Sequence, residues 1–273
     1  MYEVTVALLC LPVLVGSFWV GQVAQRFLRE HHRSRESVDS IRVLMTLLVT
    51  FVALVLGLVI SSAQRRVDLL GTGLRGLSVN IVELDQRLRE YGPEVDPLRA
   101  DLILYTRAAI ADTWPEEPPP PGVYPRHLNP MVKGDVESVE LDTILNRIDL
   151  AIHRLTPQDE FHRSIASTLQ TRMTQLSQQR WNLIENGQPS LTGRFVAILM
   201  FWLAIIFVIA GATSPRNTVV ILVTALVALS LSSSIFLALT LDRPLTGTFK
   251  IPSAPLRYAL VHLTQPPLPA GAP

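Results

Sequence analysis

The stretch RFVAILMFWLAIIFVIAGATSPRNTVVILVTALVALSLSSSIFLALTLDRPLTG, Arg194–Gly247, decides the fold. It consists of two apolar runs, 195–213 and 219–241, joined by Ser214-Pro215-Arg216-Asn217, and Arg216 is the only charge between Arg194 and Asp242. A hydrocarbon core about 30 Å thick takes roughly 20 residues of helix to cross, and each run is about that long. Lipid offers no partner to an unpaired backbone amide, so the composition predicts a helical hairpin.

Upstream, a second hairpin is predicted. Val4–Gly21 is uncharged, and Pro12 within it is a tolerated kink. The acidic start Met1-Tyr2-Glu3 and the want of a small-residue cleavage site argue for a first span rather than a secretory leader. Val43–Ala63, bracketed by Arg42 and Arg65, is the second span. The expected architecture is all-α: a four-span transmembrane helical protein with a helical-bundle extramembrane insert between spans two and three. Its parts are a first hairpin at 1–63, the insert at 64–193, a second hairpin at 194–247 and a C-terminal tail at 248–273. A hydrophobic content of 48% and a mean hydropathy of +0.32 agree with this, and 17% charged residues falls below the roughly 25% of soluble domains. The insert holds 14 Lys/Arg and 18 Asp/Glu, so it offers no basic stripe to nucleic acid, and the lipid bilayer is the expected partner. The single Cys10 sits in an apolar run, which excludes a disulfide framework or a cysteine metal cluster.

Within the insert, Val67, Leu70, Leu74, Leu77, Ile81, Leu84, Leu88 and Tyr91 follow at steps of three and four. That seam continues the register of the second span, predicting one long helix that leaves the bilayer unbroken and stops at Gly92-Pro93. The seam serves either as an assembly face between chains or as packing within one. Further helices are expected at 96–113, over Leu141–Leu155, and from Pro157 through Leu183. Seven prolines between Pro115 and Pro130 read as an exposed, extended strap, and 265–273 as a disordered tail.

Motifs for chemistry are sparse. Gly71-Thr72-Gly73-Leu74-Arg75-Gly76 matches a dinucleotide fingerprint, but that chemistry needs a strand before the glycines. Here a helix precedes them, and close helix approach is the plainer reading. His31, His32, His127, His153, His162 and His262 form no metal-binding pair, and no nucleophile elbow, Walker loop or paired carboxylates occur. No enzyme activity, cofactor or metal is expected. Hydroxyls do cluster in the spans, at Thr46, Thr50, Ser61 and Ser62 and again at Thr224, Ser230, Ser232, Ser233 and Ser234. Such groups line ion paths in some proteins and tie helices together in others. The short loops carry Arg26, Arg29, Arg33, Arg35, Arg42 and Arg216, which places them in the cytoplasm and the insert outside. Arg65, Arg66, Arg75, Arg243, Lys250 and Arg257 oppose that orientation.

Leu241-Asp242-Arg243-Pro244-Leu245-Thr246-Gly247, followed by Ile251-Pro252-Ser253-Ala254-Pro255-Leu256, resembles the signature of the bacterial bestrophin-like domain family. Trp114-Pro115 in mid-insert and Arg180-Trp181 before the third span match it too. The resemblance extends over nearly the whole chain. Bestrophins are pentameric anion channels with four spans and a helical extramembrane domain, kept in the cytosol. It therefore implies an inner-membrane homo-oligomer, a pentamer by this analogy, that conducts small anions such as chloride. The second spans would surround the axis, with Thr46, Thr50, Gly57 and Ser61 nearest the ion path. Asp242, Arg243, Pro244 and Gly247 would fix the exit of the last span rather than touch ions. The acidic run that binds calcium in animal bestrophins is absent after Gly247. The alternative is a non-conducting membrane scaffold whose insert and strap recruit a partner.

Overall fold

Every regular element among the described residues of the computed structural model is a helix; the description covers 2–26, 35–124, 139–188, 193–242, 244–245 and 250–265. The order is α1 (Tyr2–Ala24), α2 (Arg35–Tyr91), a 3-10 turn (Pro93–Val95), α3 (Asp96–Thr113), α4 (Val139–His153), α5 (Glu160–Gly187), α6 (Gly193–Thr213), α7 (Thr218–Leu241) and α8 (Ala254–Thr264). Four of these helices are long and apolar enough to cross a membrane: α1, α2, α6 and α7.

The chain divides into two compact units. The spanning unit comprises Met1–Val67, Pro189–Arg243 and Gly247–Phe249. In it α1 lies along both α6 and α7. Cys10, Leu14 and Phe18 of α1 are buried against an apolar cluster that includes Leu199, Leu203, Phe207, Ala228 and Ile235. Asn217 caps α7 by accepting the Val219 amide proton at 3.1 Å, which is how the polar turn ends one span and starts the next.

The insert unit comprises Asp68–Gln188, Pro244–Thr246 and Lys250–Pro273. The seam on α2 settles here: Leu70, Leu74, Leu77, Ile81, Leu84, Leu88 and Tyr91 are all buried in the unit's own core. It is intrachain packing and not an assembly face. Facing it, α5 contributes Ile165, Leu169, Met173, Leu176 and Leu183. The glycine-rich motif lies in the middle of α2, with no strand before it. A Cβ on Gly73 would come within 3.0 Å of Leu183 Cδ2, and one on Gly76 within 3.0 Å of Gln179 Nε2. The glycines are there so that α5 can come close. Just beyond, Asn80 donates to Gln179 Oε1 at 2.8 Å and Arg172 pairs with Glu83 at 2.8 Å. Gly92, at φ 122°, then reverses the chain, a backbone state glycine adopts without strain.

Three local expectations change. Pro157 precedes α5 rather than starting it, because Asp159 accepts the His162 amide proton at 2.8 Å and caps the helix at Glu160. The strap is exposed over most of its described length, as expected, but it is pinned at Pro120 and Tyr124, which are buried, and the Tyr124 hydroxyl donates to the Pro120 carbonyl at 2.9 Å. Residues 125–130 of the strap and the tail 266–273 lie outside the described residues. The segment after the fourth span also carries a further helix, α8, whose Leu256, Ala259, Leu260 and Leu263 are buried in the insert core.

Candidate ion path and signature residues

The four path candidates share one face of α2. At 100° per residue, Thr46, Thr50, Gly57 and Ser61 fall within a sector of about 60°. All four are exposed in the single chain. Their hydroxyls have local partners. Thr46 donates to the Arg42 carbonyl and Thr50 to the Thr46 carbonyl, both at 2.9 Å, so both hydroxyl protons are taken by the helix itself. Ser61 accepts from Arg65 at 3.1 Å, and Ser62 accepts from the same guanidinium at 3.2 Å. A Cβ on Gly57 would meet nothing within 4 Å. Phe51, the aromatic of this span, packs on Trp202 of α6 with ring centroids 5.2 Å apart.

Among the hydroxyls of α7, buried Ser232 donates to the Ala7 carbonyl of α1 at 2.6 Å, a bond across helices. Ser233 and Ser234 donate to carbonyls one turn back in their own helix, as Thr46 and Thr50 do. Ser232 therefore ties α7 to α1. Arg216, the lone charge of the hairpin, donates to the Gln22 carbonyl at 2.8 Å, satisfying one of the orphan carbonyls that end α1.

Two glycines missed in the sequence set the contact between α1 and α6. A Cβ on Gly21 would overlap the Val208 carbonyl oxygen, and one on Gly211 would overlap the Phe18 carbonyl oxygen. The two backbones touch reciprocally. Both glycines sit at the ends of apolar runs, where a sequence reader sees a boundary; the hint was that each falls in a span near small neighbours such as Ala210 and Ala212.

After the last span, Asp242 is buried and its amide donates to the Ala238 carbonyl at 3.1 Å. Arg243 and Gly247 lie outside the described residues. The Pro244 carbonyl accepts the Ile251 amide proton at 2.9 Å, and the Ile251 carbonyl accepts the indole proton of Trp114 at 2.7 Å. The motif after span four is thereby bonded to the Trp-Pro motif of the insert, more than a hundred residues earlier. Arg180, from the third motif, is buried and ion-paired to Asp142. It lines, with Trp114, Leu245 and Ile251, one enclosed cavity of about 30 Å³. Tyr105 lines it too, and burial pushes its phenol up to about 12, which the Arg180 charge only partly opposes. Among the described residues, Pro244, Ile251 and Trp114 are thus linked in one chain of hydrogen bonds.

The next residues clamp α8. Glu117 accepts the Ser253 amide proton at 3.1 Å, the Ser253 hydroxyl and the Arg257 Nε proton at 3.1 Å. Burial pushes the Glu117 carboxyl up, but those bonds outweigh it and hold it below its ordinary value. Arg257 also donates to the Pro118 carbonyl at 2.7 Å. At the other end of α8, Arg89 donates to the carbonyls of His262, Leu263 and Gln265 at 3.1–3.3 Å. Among the described residues no group of His, Cys, Asp and Glu could hold a metal ion.

Comparison with known proteins agrees with the motif reading. No curated protein matches the chain. A solved crystal structure of a membrane protein is similar at a TM-score of 0.64 and 14% identity, covering 94% of this chain and 97% of that one, which shows a shared fold. The model of the Bestrophin-like domain matches residues 12–256, and those residues include the second half of the first span, the other three spans, the Trp-Pro pair and the motif after the fourth span. The chain belongs to the Bestrophin-like domain family.

Proposed function

We propose that the chain assembles as a homo-oligomer whose second spans surround a path for small anions such as chloride, in a bacterial inner membrane. The observation that carries this reading is the exposed face of α2, where Thr46, Thr50, Gly57 and Ser61 stand in one sector. Hydroxyl oxygens and their dipoles are suited to replace part of an ion's hydration shell. Family membership and the four candidate spanning helices support it further. The arginine-rich short loops support a cytoplasmic position for those loops and an outside position for the insert. The scaffold reading loses ground to the strap, whose Pro118 and Pro120 carbonyls accept bonds from within the chain and so are not on offer to a groove that reads extended proline.

The test is chloride flux from liposomes reconstituted with the purified protein and with Thr50→Arg. Flux absent from empty vesicles and altered by the substitution is the expected result. A folded oligomer that passes no chloride over a range of pH and calcium overturns the channel.

A further inference from the structure

The spanning unit holds a groove of about 570 Å³ walled by α2, α6 and α7. Val49, Leu56, Gly57, Ile206, Val227 and Leu231 line it, and Thr224 is its polar side chain. Along α2 it extends from Met45 to Ile60, about 22 Å at 1.5 Å per residue. The groove is apolar along its length and long enough to take a hydrocarbon chain.

At one end the groove runs into a second hollow of about 400 Å³, because Met45, Val49 and Ala210 line both. There the walls turn polar, with Arg42, Thr46, Thr50, Thr213 and Ser214. Thr46, Thr50 and Thr213 give their hydroxyl protons to their own helices. Arg42 supplies the charge. Its neighbour Asp39 is 3.7 Å away and both side chains are about three-quarters exposed, a weak pair that leaves most of the guanidinium's five donors open. An apolar slot that ends at an open cation suits the tail and the charged head of a lipid.

We propose that this continuous hollow binds an anionic phospholipid, with one acyl chain along α2 and the phosphate at Arg42. Bulk lipid is as apolar as the groove, so shape holds the chain only weakly and the headgroup supplies the selectivity. Thr46, Thr50 and Gly57 of the proposed path also line this hollow, but lipid retention is read out separately from conduction.

The test uses the full chain in nanodiscs of phosphatidylcholine with a minor fraction of phosphatidylglycerol, each lipid supplied in turn with a photoreactive acyl chain. Labelled peptides are mapped by mass spectrometry. The phosphatidylglycerol probe is expected to label the groove walls severalfold more than the phosphatidylcholine probe. Arg42→Gln is expected to erase that preference. Gly57→Leu, whose side chain enters open space in the folded chain, is expected to fill the groove and lower labelling by both. Labelling spread evenly over α1, α6 and α7, or a preference unchanged in Arg42→Gln, overturns the site. Disulfide-linked dimers from Gly57→Cys in a Cys10→Ser background, with the groove unlabelled, assign it to a second copy instead and equally overturn it.

Discussion

The two units of this chain are held together by different forces. In the spanning unit α1 and α6 meet backbone to backbone at Gly21 and Gly211, and the polar bonds across helices are few, such as Ser232 to Ala7 and Arg216 to Gln22. In the insert unit the helices pack mainly through leucine and isoleucine side chains, with α5 drawn in at Gly73 and Gly76, and are tied by buried charge. Asp85, 4% exposed, accepts from Arg89 at 2.7 Å and from Arg99 at 2.9 Å. The solvent explains the difference. Between helices in lipid there is no hydrophobic drive, so close van der Waals approach decides the pairing. In water the apolar seam supplies the drive, and polar bonds choose the geometry.

Five substitutions bear on that contrast. Asp85→Ala leaves two partly buried guanidinium groups without their shared carboxylate and is expected to cost roughly 3 kcal/mol. Hydrogen exchange at α2 and α3 amides in the insert reads it, and unchanged protection would break the claim that buried charge matters there. Gly211→Ala puts a methyl group on the Phe18 carbonyl and is expected to cost about 2 kcal/mol by overpacking. Gly57→Ala, at an open position, should stay within about 0.5 kcal/mol. Equal melting temperatures for these two glycine variants in detergent would remove the close contact from the account.

Glu117→Ala takes the clamp from the start of α8 and is expected to cost about 1 kcal/mol. Limited proteolysis near Ser253 should quicken. Because the folded Glu117 carboxyl lies below its ordinary value of 4.5, its contribution is present above that pH and is lost as pH falls through the folded value. Unaltered cleavage would mean that Arg89 and the buried leucines hold α8 unaided. The smallest effect is expected at His162. The Asp159 carboxylate hydrogen-bonded to its ring at 2.5 Å raises the imidazole above its ordinary value of 6.5, and its other ring nitrogen contacts the Tyr91 carbonyl at 3.1 Å. That contribution is full below 6.5 and fades as pH rises through the folded value. A melting curve of His162→Ala that follows the parent at every pH would delete it.

Much of the fold was legible in the sequence because its strongest signals are local. Apolar runs of about 20 residues marked all four spans, and the steps of three and four from Val67 to Tyr91 carried α2 out of the apolar region to Gly92. What stayed hidden depends on partners remote in the chain. Nothing near Gly211 announces that Phe18 will lie against it. Residues 254–264 make a short helix beside prolines, and only Glu117 and Arg89, more than a hundred residues earlier, give it its caps. The candidate path residues Thr46, Thr50, Gly57 and Ser61 came from the resemblance and the hydroxyl content of the second span, while the hollows beside them needed α6 and α7 in place. For Thr46 and Thr50 the composition could not say which way the hydroxyl protons point, and both turn back to the helix.

The docking of α8 sets a schedule for synthesis. Four buried residues of the insert core, Leu256, Ala259, Leu260 and Leu263, are translated only after the second hairpin. Ribosomes add roughly 5–20 residues per second, so about 65 residues separate Gln188 from α8 by some 3–13 seconds. For that interval the insert is a nearly finished domain with an open apolar slot, and the ribosome is meanwhile feeding the bilayer two more spans. A nascent chain halted before Ala254 should be a target for chaperones, and the release of its insert a marker of the final helix arriving.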